Sequence, residues 1–379
     1  MNKKSIRDID IKGKKVLMRV DFNVPLDKGL VITDDNRIRA ALPSIEYILG
    51  ENAKLILMSH LGRPKGEVNK KFSLAPAATR LSELIGKPVK ILDDCIGDSV
   101  KEAVSAMSDG DVILLENLRF HKEETENDAS FAKELASLGD IFVNDAFGTC
   151  HRSHASVYAI TNYVKESCAG LLIEKETMML NPILESPQHP FYVIIGGAKV
   201  ESKIDVIENM GESADKILIG GKMALAFQGV TYIDENEREE ARILMEKYPD
   251  KIILPSDYIT EDEKEVDAVV IPENKNLFDL GSKTLSEWKD ILDNAKTVIW
   301  NGPLGYFENP PFDAATNELA NYLANSSAIT IIGGGDSANA IRKLNLQDKM
   351  THVSTGGGAS LEFLEGKELP GLEVLGFYS

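Results

Sequence analysis

A chain of 379 residues exceeds what one hydrophobic core normally holds, so two domains are expected. Its 43% hydrophobic residues are ordinary for a globular protein, and no apolar run approaches the ~18 residues of a membrane span. A net charge of −18 argues against nucleic acid as the main partner.

The amino-terminal segment and the cysteines indicate the compartment. "MNKKSIRDIDIKGKK" carries charge with no apolar stretch behind it, so it does not resemble a signal peptide. The three cysteines, Cys95, Cys150 and Cys168, are odd in number and lack the spacing of a metal site. Three ordinary thiols suit a reducing environment, and a cytoplasmic protein is expected.

The first half alternates short apolar runs with helix-like segments, which predicts a parallel α/β sheet. The runs are "KVLMRVDFN", "KLILMSHLGR", "VILLENLRF" and "IFVNDAFG", and each ends in polar or basic residues. Eight of the eleven arginines lie at or before Arg152. Because the guanidinium fork suits carboxylates and phosphates, an acidic protein with this bias is expected to bind a small anion there.

A connector and a second half of different character follow. Residues 169–190 begin as an amphipathic helix and end Pro-rich, which predicts a hinge helix between two domains. Further on, "FYVIIGGAK", "KILIGGKMA", "AITIIGGGD" and "HVSTGGGAS" end in glycines. Such loops are expected to offer unpaired backbone N–H groups to an anion. Lys199 and Lys203, four residues apart, are expected to lie on one helix face.

The loop "GGGDSA" fits the G-x-G-x-x-A dinucleotide fingerprint, which can be tested against its surroundings. A Rossmann site needs an acidic residue about 20 positions later, and the next strand, "THVST", ends in Gly356 without one. Asp336 would repel a pyrophosphate unless Mg²⁺ lay between them. The loop therefore favours a magnesium–nucleotide site. The P-loop and protein-kinase motifs are absent.

Taken together, nine motifs in order resemble the phosphoglycerate kinase family: "RVDFNVP", "NRIRAALPSI", "SHLGRP", "ENLRFHKEE", "HRSHAS", "GGAKV", "WNGPLGYFE", "GGGDS" and "STGGGASLE". The resemblance implies an α/β protein with two Rossmann-like domains, each a parallel sheet flanked by helices, joined by a hinge helix. It implies a phosphoglycerate-binding domain over residues 1–168, a connecting helix over 169–190 and a nucleotide-binding domain over 191–359. The tail, residues 360–379, would pack back on the first domain.

The resemblance also assigns roles to residues of this chain. The phosphoglycerate-binding positions would be Asp21, Phe22, Asn23, Arg37, His60, Leu61, Gly62, Arg63, Arg119 and Arg152. The nucleotide-binding positions would be Lys203, Asn301, Glu308, Gly334, Gly335, Asp336 and Ser337, with Asp336 also holding Mg²⁺. The catalytic groups would be Arg37, Lys199, Gly357 and Gly358. Lys222 and Leu225 depart from the family pattern on the adenine side.

The implied reaction is reversible transfer of the acyl phosphate of 1,3-bisphosphoglycerate to ADP, giving 3-phosphoglycerate and ATP in glycolysis. In the reverse direction the nucleophile is a carboxylate, which is ionised near pH 7, so no general base is required. A monomer acting on small molecules, with neither nucleic acid nor membrane as partner, is implied. Two alternatives are an NAD-linked oxidoreductase, which the missing ribose acid disfavours, and a non-catalytic two-domain anion-binding protein.

Overall fold

The structure is a computed structural model that describes residues 4–272 and 275–378. The chain forms two compact units. The first unit runs up to Met178 and includes the chain from Glu368 onward, and the second spans Met179 to Lys367. None of the helices in these described ranges combines the length and the apolar character that crossing a membrane requires.

The first unit contains a six-stranded parallel sheet. Its strands are β1 (Lys15–Arg19), β2 (Lys54–Met58), β3 (Val89–Ile91), β4 (Val112–Leu114), β5 (Ile141–Asn144) and β6 (Ser167–Ala169). The order across the sheet is β3-β4-β2-β1-β5-β6. The chain leaves β1 towards β2 and later returns to β5 on its other side, so β1 lies at the switch point where ligands of such sheets bind.

Helices cover both faces of this sheet. They are α1 (Asn36–Gly50), α2 (Ala75–Ile85), α3 (Asp98–Ser105), α4 (Lys122–Thr125), α5 (Ala129–Ala136) and the part of α6 (Leu171–Glu185) that precedes Met179. Alternate strand residues enter two separate cores, because successive side chains of a strand point to opposite faces. Val16 and Met18 of β1 pack in one core with residues of α1 and α2, whereas Leu17 packs in the other with residues of α3 and α5.

The second unit contains a second parallel sheet of six strands and a small antiparallel sheet. Its strands are β7 (Phe191–Ile195), β8 (Lys216–Ile219), β9 (Ile252–Ile253), β10 (Asp257–Thr260), β11 (Glu265–Asp267), β12 (Leu277–Leu280), β13 (Thr297–Asn301), β14 (Ile329–Gly333) and β15 (His352–Val353). The parallel sheet has the order β15-β14-β13-β7-β8-β9. The antiparallel sheet, β11-β10-β12, was not predicted from the sequence.

The helices of the second unit are α7 (Ile204–Gly211), α8 (Ala224–Phe227), α9 (Glu235–Lys247), α10 (Ser282–Leu292), α11 (Ala314–Leu323), α12 (Gly335–Lys343) and α13 (Gly358–Leu364). The chain from Glu368 onward, with α14 (Pro370–Glu373), belongs to the first unit, where the Gly371 N–H donates to the Cys150 carbonyl at 2.8 Å. The predicted α/β class, two parallel sheets flanked by helices, is confirmed.

Candidate functional site

The loop after β1 carries an ion pair at the switch point of the first sheet. Arg37 lies in the first turn of α1, and its Nη1 donates to Oδ2 of Asp21 at 2.6 Å. The Asp21 side chain is 10% exposed, whereas that of Arg37 is 35% exposed. The guanidinium is therefore held in place from one side and remains open to a ligand on the other.

The loops after β1 and β2 are hydrogen-bonded to each other. The Phe22 N–H donates to Ser59 Oγ at 2.8 Å, and the Gly62 N–H donates to Asn23 Oδ1 at 2.9 Å. Phe22 and Leu61 are buried in the core of the unit. Their side chains thus support the loops, and only their backbones could contact a ligand directly.

Arg119 is the most enclosed of the predicted anion-binding arginines. It lies in the short helical turn Leu118–Phe120 after β4, and its Nη1 donates to the Gly62 carbonyl at 2.8 Å. Its Nε is buried and has no hydrogen-bond partner within the described residues. Burial, together with the charges of Arg19 and Arg152, lowers the pKa of Arg119 to about 10. A buried donor without an acceptor is what an anion-binding position requires.

Arg152 and Arg63 differ in their surroundings. Arg152 is half-buried and its Nε donates to Nε2 of His151 at 2.9 Å. Burial, and then the Arg152 charge, lowers the pKa of His151 to about 4, which keeps that ring neutral and able to accept. Arg63 is exposed, and across the described ranges its side chain makes no hydrogen bond or ion pair.

The positive charges of this region act together on His60. Burial, followed by Arg19 and Arg119, holds the pKa of His60 well below its usual range, so the imidazole is neutral. Arg19 itself is fully buried and received no role in the sequence analysis. Its place as the last residue of β1 was the available signal, since Arg63 and Arg119 also follow apolar runs that end in polar or basic residues.

In the second unit the two lysines are not arranged as predicted. Helix α7 begins only at Ile204, so Lys199 lies in the preceding loop and is exposed. The expectation that both lysines lie on one helix face is therefore wrong. Lys203 precedes the helix and donates from Nζ to Asn301 Oδ1 at 2.6 Å, and burial lowers the pKa of Lys203.

The glycine N–H groups in the double-glycine loops after β7 and β8 are all paired with backbone carbonyls. The Gly196 and Gly197 N–H groups donate to the carbonyls of Asn301 and Pro303, and the Gly221 N–H donates to that of Leu304. The expectation of unpaired N–H groups is wrong for the glycines of these loops. Glycine is required there because backbones pack together: a Cβ on Gly221 would lie 2.6 Å from the Gly197 nitrogen.

The loop after β14 does match the expectation. Gly334, at a φ of +85°, caps the start of α12, and the first N–H groups of a helix lack intrahelical partners. Asp336 is exposed in the first turn, and Ser337 Oγ accepts from the Gly302 N–H at 2.7 Å. Asn301 Nδ2 is buried and has no hydrogen-bond partner in the part of the chain that the structure describes.

A cavity of about 400 Å³ lies beside this loop. Aromatic and aliphatic side chains form much of its wall, including Tyr258, Phe278 and Leu304, while Glu308 and Asp336 contribute carboxylates. Lys222 and Leu225 also line it, so the two departures from the family pattern fall on this wall. Apolar walls with a few polar groups are typical of sites for a planar organic ligand.

The remaining predicted groups lie at the start of α13. Gly357, at a φ of +54°, caps this helix, and Gly358 is its first residue. A Cβ on Gly357 would meet no atom within 4 Å. This helix start is thus open on the side where Gly357 lacks a side chain.

The donor set of the second unit fits Mg²⁺ carried by a nucleotide. Asp336 and Glu308 are exposed carboxylates of the cavity wall. Asp336 is also close enough to Lys203 to act on its pKa, and Asn301 Nδ2, which has no hydrogen-bond partner among the described residues, lies beside Gly334; both nitrogens suit phosphate. Mg²⁺ commonly takes one or two carboxylate oxygens and completes its shell with water and phosphate.

Fold and site define a two-unit α/β phosphotransferase, with a cluster of arginines beside one parallel sheet and a partly apolar cavity in the other unit. The chain belongs to the phosphoglycerate kinase family: the family model described as Phosphoglycerate kinase matches residues 6–367. A phosphoglycerate kinase of Clostridium botulinum (strain Langeland / NCTC 10281 / Type F) is 51% identical over 393 aligned residues, covering 99% of this chain and 98% of that protein. One from Borrelia hermsii is 52% identical over 392 aligned residues, covering 99% and 100%.

Solved structures agree with this assignment. The phosphoglycerate kinase from Coxiella burnetii superposes with a TM-score of 0.87 at 38% identity, with 99% of each chain covered. The enzyme from Pyrococcus horikoshii OT3 also gives a TM-score of 0.87, at 32% identity, covering 99% of this chain and 98% of that one. The resemblance inferred from the nine motifs is confirmed.

Proposed function

We propose that the protein catalyses reversible, Mg²⁺-dependent transfer of the acyl phosphate of 1,3-bisphosphoglycerate to ADP, giving 3-phosphoglycerate and ATP. The observation that carries the proposal is the cluster of Arg19, Arg37, Arg119 and Arg152 around the neutral His60. A substrate with a carboxylate and a phosphate complements such a cluster, because guanidinium groups bind both anions with paired hydrogen bonds.

In the first unit, the side chains of Arg37, Arg119 and Arg152 would bind the charged ends of phosphoglycerate, and Arg63 would join them from its exposed loop. Arg119 Nε supports this role, since it is a buried donor that lacks an acceptor in the described residues. Asp21 and Asn23 hold Arg37 and the Gly62 backbone in place, and the second carboxylate oxygen of Asp21, Oδ1, would accept from the substrate hydroxyl.

In the second unit, Lys203, Asn301 and the start of α12 would bind the nucleotide phosphates, and Glu308 would bind the ribose beside the apolar cavity. Gly334, Gly335 and Ser337 form this helix start. Asp336 would hold Mg²⁺, which when bound shields the negative charge of the phosphates. The base would lie against Tyr258 and Leu304, the side of the cavity that offers apolar contact.

The chemistry places few demands on proton transfer. The carboxylate of 3-phosphoglycerate is already ionised, so catalysis depends on orienting it in line with the phosphoryl group and on stabilising the transferring charge. Arg37, Lys199 and the Gly357–Gly358 helix start would supply that positive field. Because the two substrates bind to different units, we propose that closure brings them together and excludes the water that would hydrolyse an acyl phosphate.

Compartment and assembly are part of the same proposal. The three cysteines are free and buried, which supports a reducing compartment such as the cytoplasm. We propose a monomer, and light scattering of the purified protein at assay concentration tests this.

Turnover of purified protein with ATP, Mg²⁺ and 3-phosphoglycerate tests the reaction, with hydroxylamine trapping the acyl phosphate as a hydroxamate. Hydroxamate should form with Mg²⁺ and should be abolished by EDTA. If none forms although nucleotide binds, the protein either acts on a different acid or is a binding protein, and the proposed reaction is refuted.

A further inference from the structure

A buried chain of hydrogen bonds lies beneath the anion site and is not explained by the roles given above. It joins Glu124, the third residue of α4, to Ser156, Arg19 and His60 in turn. Glu124, Ser156 and Arg19 are all 0% exposed, and His60 is 4% exposed. Burying a charged pair is costly unless every polar group has a partner, so the arrangement needs a reason.

Glu124 and Ser156 fix the guanidinium of Arg19. The carboxylate of Glu124 accepts from both the Ser156 Oγ at 2.7 Å and the Ser156 N–H at 2.9 Å. Ser156 Oγ therefore has its hydrogen committed to Glu124 and offers a lone pair to Arg19 Nε, which lies 2.9 Å away. Arg19 Nη1 donates to the Val20 carbonyl, so a second nitrogen of the fork is also held.

The third nitrogen of the Arg19 guanidinium, Nη2, contacts the imidazole of His60. Arg19 Nη2 lies 3.1 Å from His60 Nδ1. A guanidinium can only donate, so this contact is a hydrogen bond only when Nδ1 is unprotonated. The competing acceptor, Asp21 Oδ1, lies 3.8 Å from Nδ1, which is too long for a hydrogen bond. The imidazole must then carry its proton on Nε2.

Resting on the proposed function, we propose that Glu124 and Ser156 are positioning residues, which orient Arg19 so that His60 is locked as the neutral Nε2–H tautomer and donates to the bound phosphoglycerate. Neither residue contacts the substrate in this scheme. The neutral state of the ring agrees with the low pKa of His60, caused by burial and by the neighbouring arginines. In the Nε2–H tautomer, His60 donates one hydrogen bond to an acceptor atom of the substrate. In the Nδ1–H tautomer, Nε2 would present a lone pair to the anion instead, which is repulsive.

The tautomer can be measured without any substrate, which separates this proposal from the proposed reaction. Histidines are labelled with ¹⁵N, and the His60 signals, one set of six, are assigned by their loss in His60→Gln. Two-bond ¹H–¹⁵N correlations distinguish the Nε2–H tautomer, the Nδ1–H tautomer and the imidazolium. In the wild type near pH 7 we expect only the Nε2–H pattern. An Nδ1–H or imidazolium pattern would overturn the proposal even if the enzyme turns over normally.

Variants of Ser156 test the role of the hydrogen-bond chain from Glu124 through Ser156 and Arg19 to His60. Ser156→Ala removes the acceptor of Arg19 Nε, so the Nδ1–H pattern of His60 should appear and KM for 3-phosphoglycerate should rise about tenfold, the loss of roughly one hydrogen bond to a charged group. The kcat should change little, because His60 binds ground state and transition state alike. Ser156→Thr keeps the hydroxyl and should restore both readouts.

A matched control loses another buried hydroxyl of the same unit. Ser44 is 0% exposed and its Oγ accepts from the Leu171 N–H at 2.8 Å. It does not belong to the hydrogen-bond chain from Glu124 to His60. Ser44→Ala should leave the His60 pattern unchanged. Ser156→Ala with a pure Nε2–H pattern of His60 and an unchanged KM for 3-phosphoglycerate would refute the positioning role. The hydrogen-bond chain would then serve only to compensate buried charge.

Discussion

Replacing Arg37 by alanine separates catalysis from stability at this site. Arg37 is the second residue of α1, and it combines a short ion pair to Asp21 with an exposed remainder. Arg39, two positions further on, provides a matched control, since its Nε pairs with Asp35 Oδ1 at 2.9 Å on the surface of the same helix. Both substitutions remove one arginine from one helix, and only one of them lies at the proposed site.

The expected magnitudes differ by several kcal/mol. The Arg37–Asp21 pair is about one-third exposed on the arginine side, so its loss should destabilise the fold by only about 1 kcal/mol. An arginine that stabilises a transferring phosphoryl group is worth roughly 10³ in rate, which corresponds to about 4 kcal/mol. Arg37→Ala also leaves Asp21 uncompensated beside the anion, so KM for 3-phosphoglycerate should rise together with the fall in kcat.

The assay is steady-state hydroxamate formation, combined with calorimetric titration of ADP in the presence of Mg²⁺. Arg37→Ala should lose about 10³ in kcat while its ADP affinity stays at the wild-type value, because the nucleotide residues belong to the other unit. Arg39→Ala should keep both. Near-normal turnover by Arg37→Ala, or an equal loss in Arg39→Ala, would refute the assignment of Arg37 to the transferring group.

Three further predictions concern the second unit. Asp336→Asn should raise the Mg²⁺ concentration needed for half-maximal rate by about tenfold or more, because one ligand charge is lost; an unchanged metal titration would remove Asp336 from the metal site. Gly335→Ala should weaken ADP binding in calorimetry without lowering the urea midpoint. Stability should not fall, because alanine favours the helix by up to about 1 kcal/mol and no protein atom lies within 4 Å of the new Cβ. Wild-type ADP affinity in this variant would exclude a close approach of the nucleotide to Gly335. Burial raises the pKa of Asp279 to about 7, above roughly 3.9 in the unfolded chain, so its contribution to stability is fully present below about pH 4 and is lost as the pH rises towards 7. Asp279→Asn should therefore flatten the fall of the urea midpoint between about pH 4 and pH 7, and a slope equal to that of the wild type would show that Asp279 does not titrate in this range.

The sequence was most informative where strand ends carry distinctive side chains. Asp21, His60 and Arg119 each follow an apolar run, and the parallel sheet brings them to one edge because the strands all end there. Not every arginine of the first half belongs to that edge. Arg39 and Arg80 share the carboxylate of Asp35 on the surface, which periodicity alone does not reveal.

Other features depended on tertiary contacts that a single sequence does not encode. The sheet β11-β10-β12 consists of strands of three or four residues, too short for a clear alternation of polar and apolar positions. Its β10 and β12 supply much of the cavity wall, including Tyr258 and Leu280. Likewise, the role of Arg19 depends on Ser156 and Glu124, which are distant in sequence and could be placed beside it only by folding.

The glycines of the second unit have two physical functions that look alike in the sequence. Gly196, Gly221 and Gly302 are glycines because another backbone occupies the space of a side chain, so the protein itself accounts for them. Gly335 has no such neighbour and no positive φ, and alanine would favour the helix it begins. An open Cβ position at a helix start, beside a cavity with Lys203 and Asp336 nearby, is accounted for by the close approach of something outside the chain. We therefore predict that Gly335, the second glycine of the G-x-G-x-x-A motif, is a phosphate-binding position, because the fold itself does not require a glycine there.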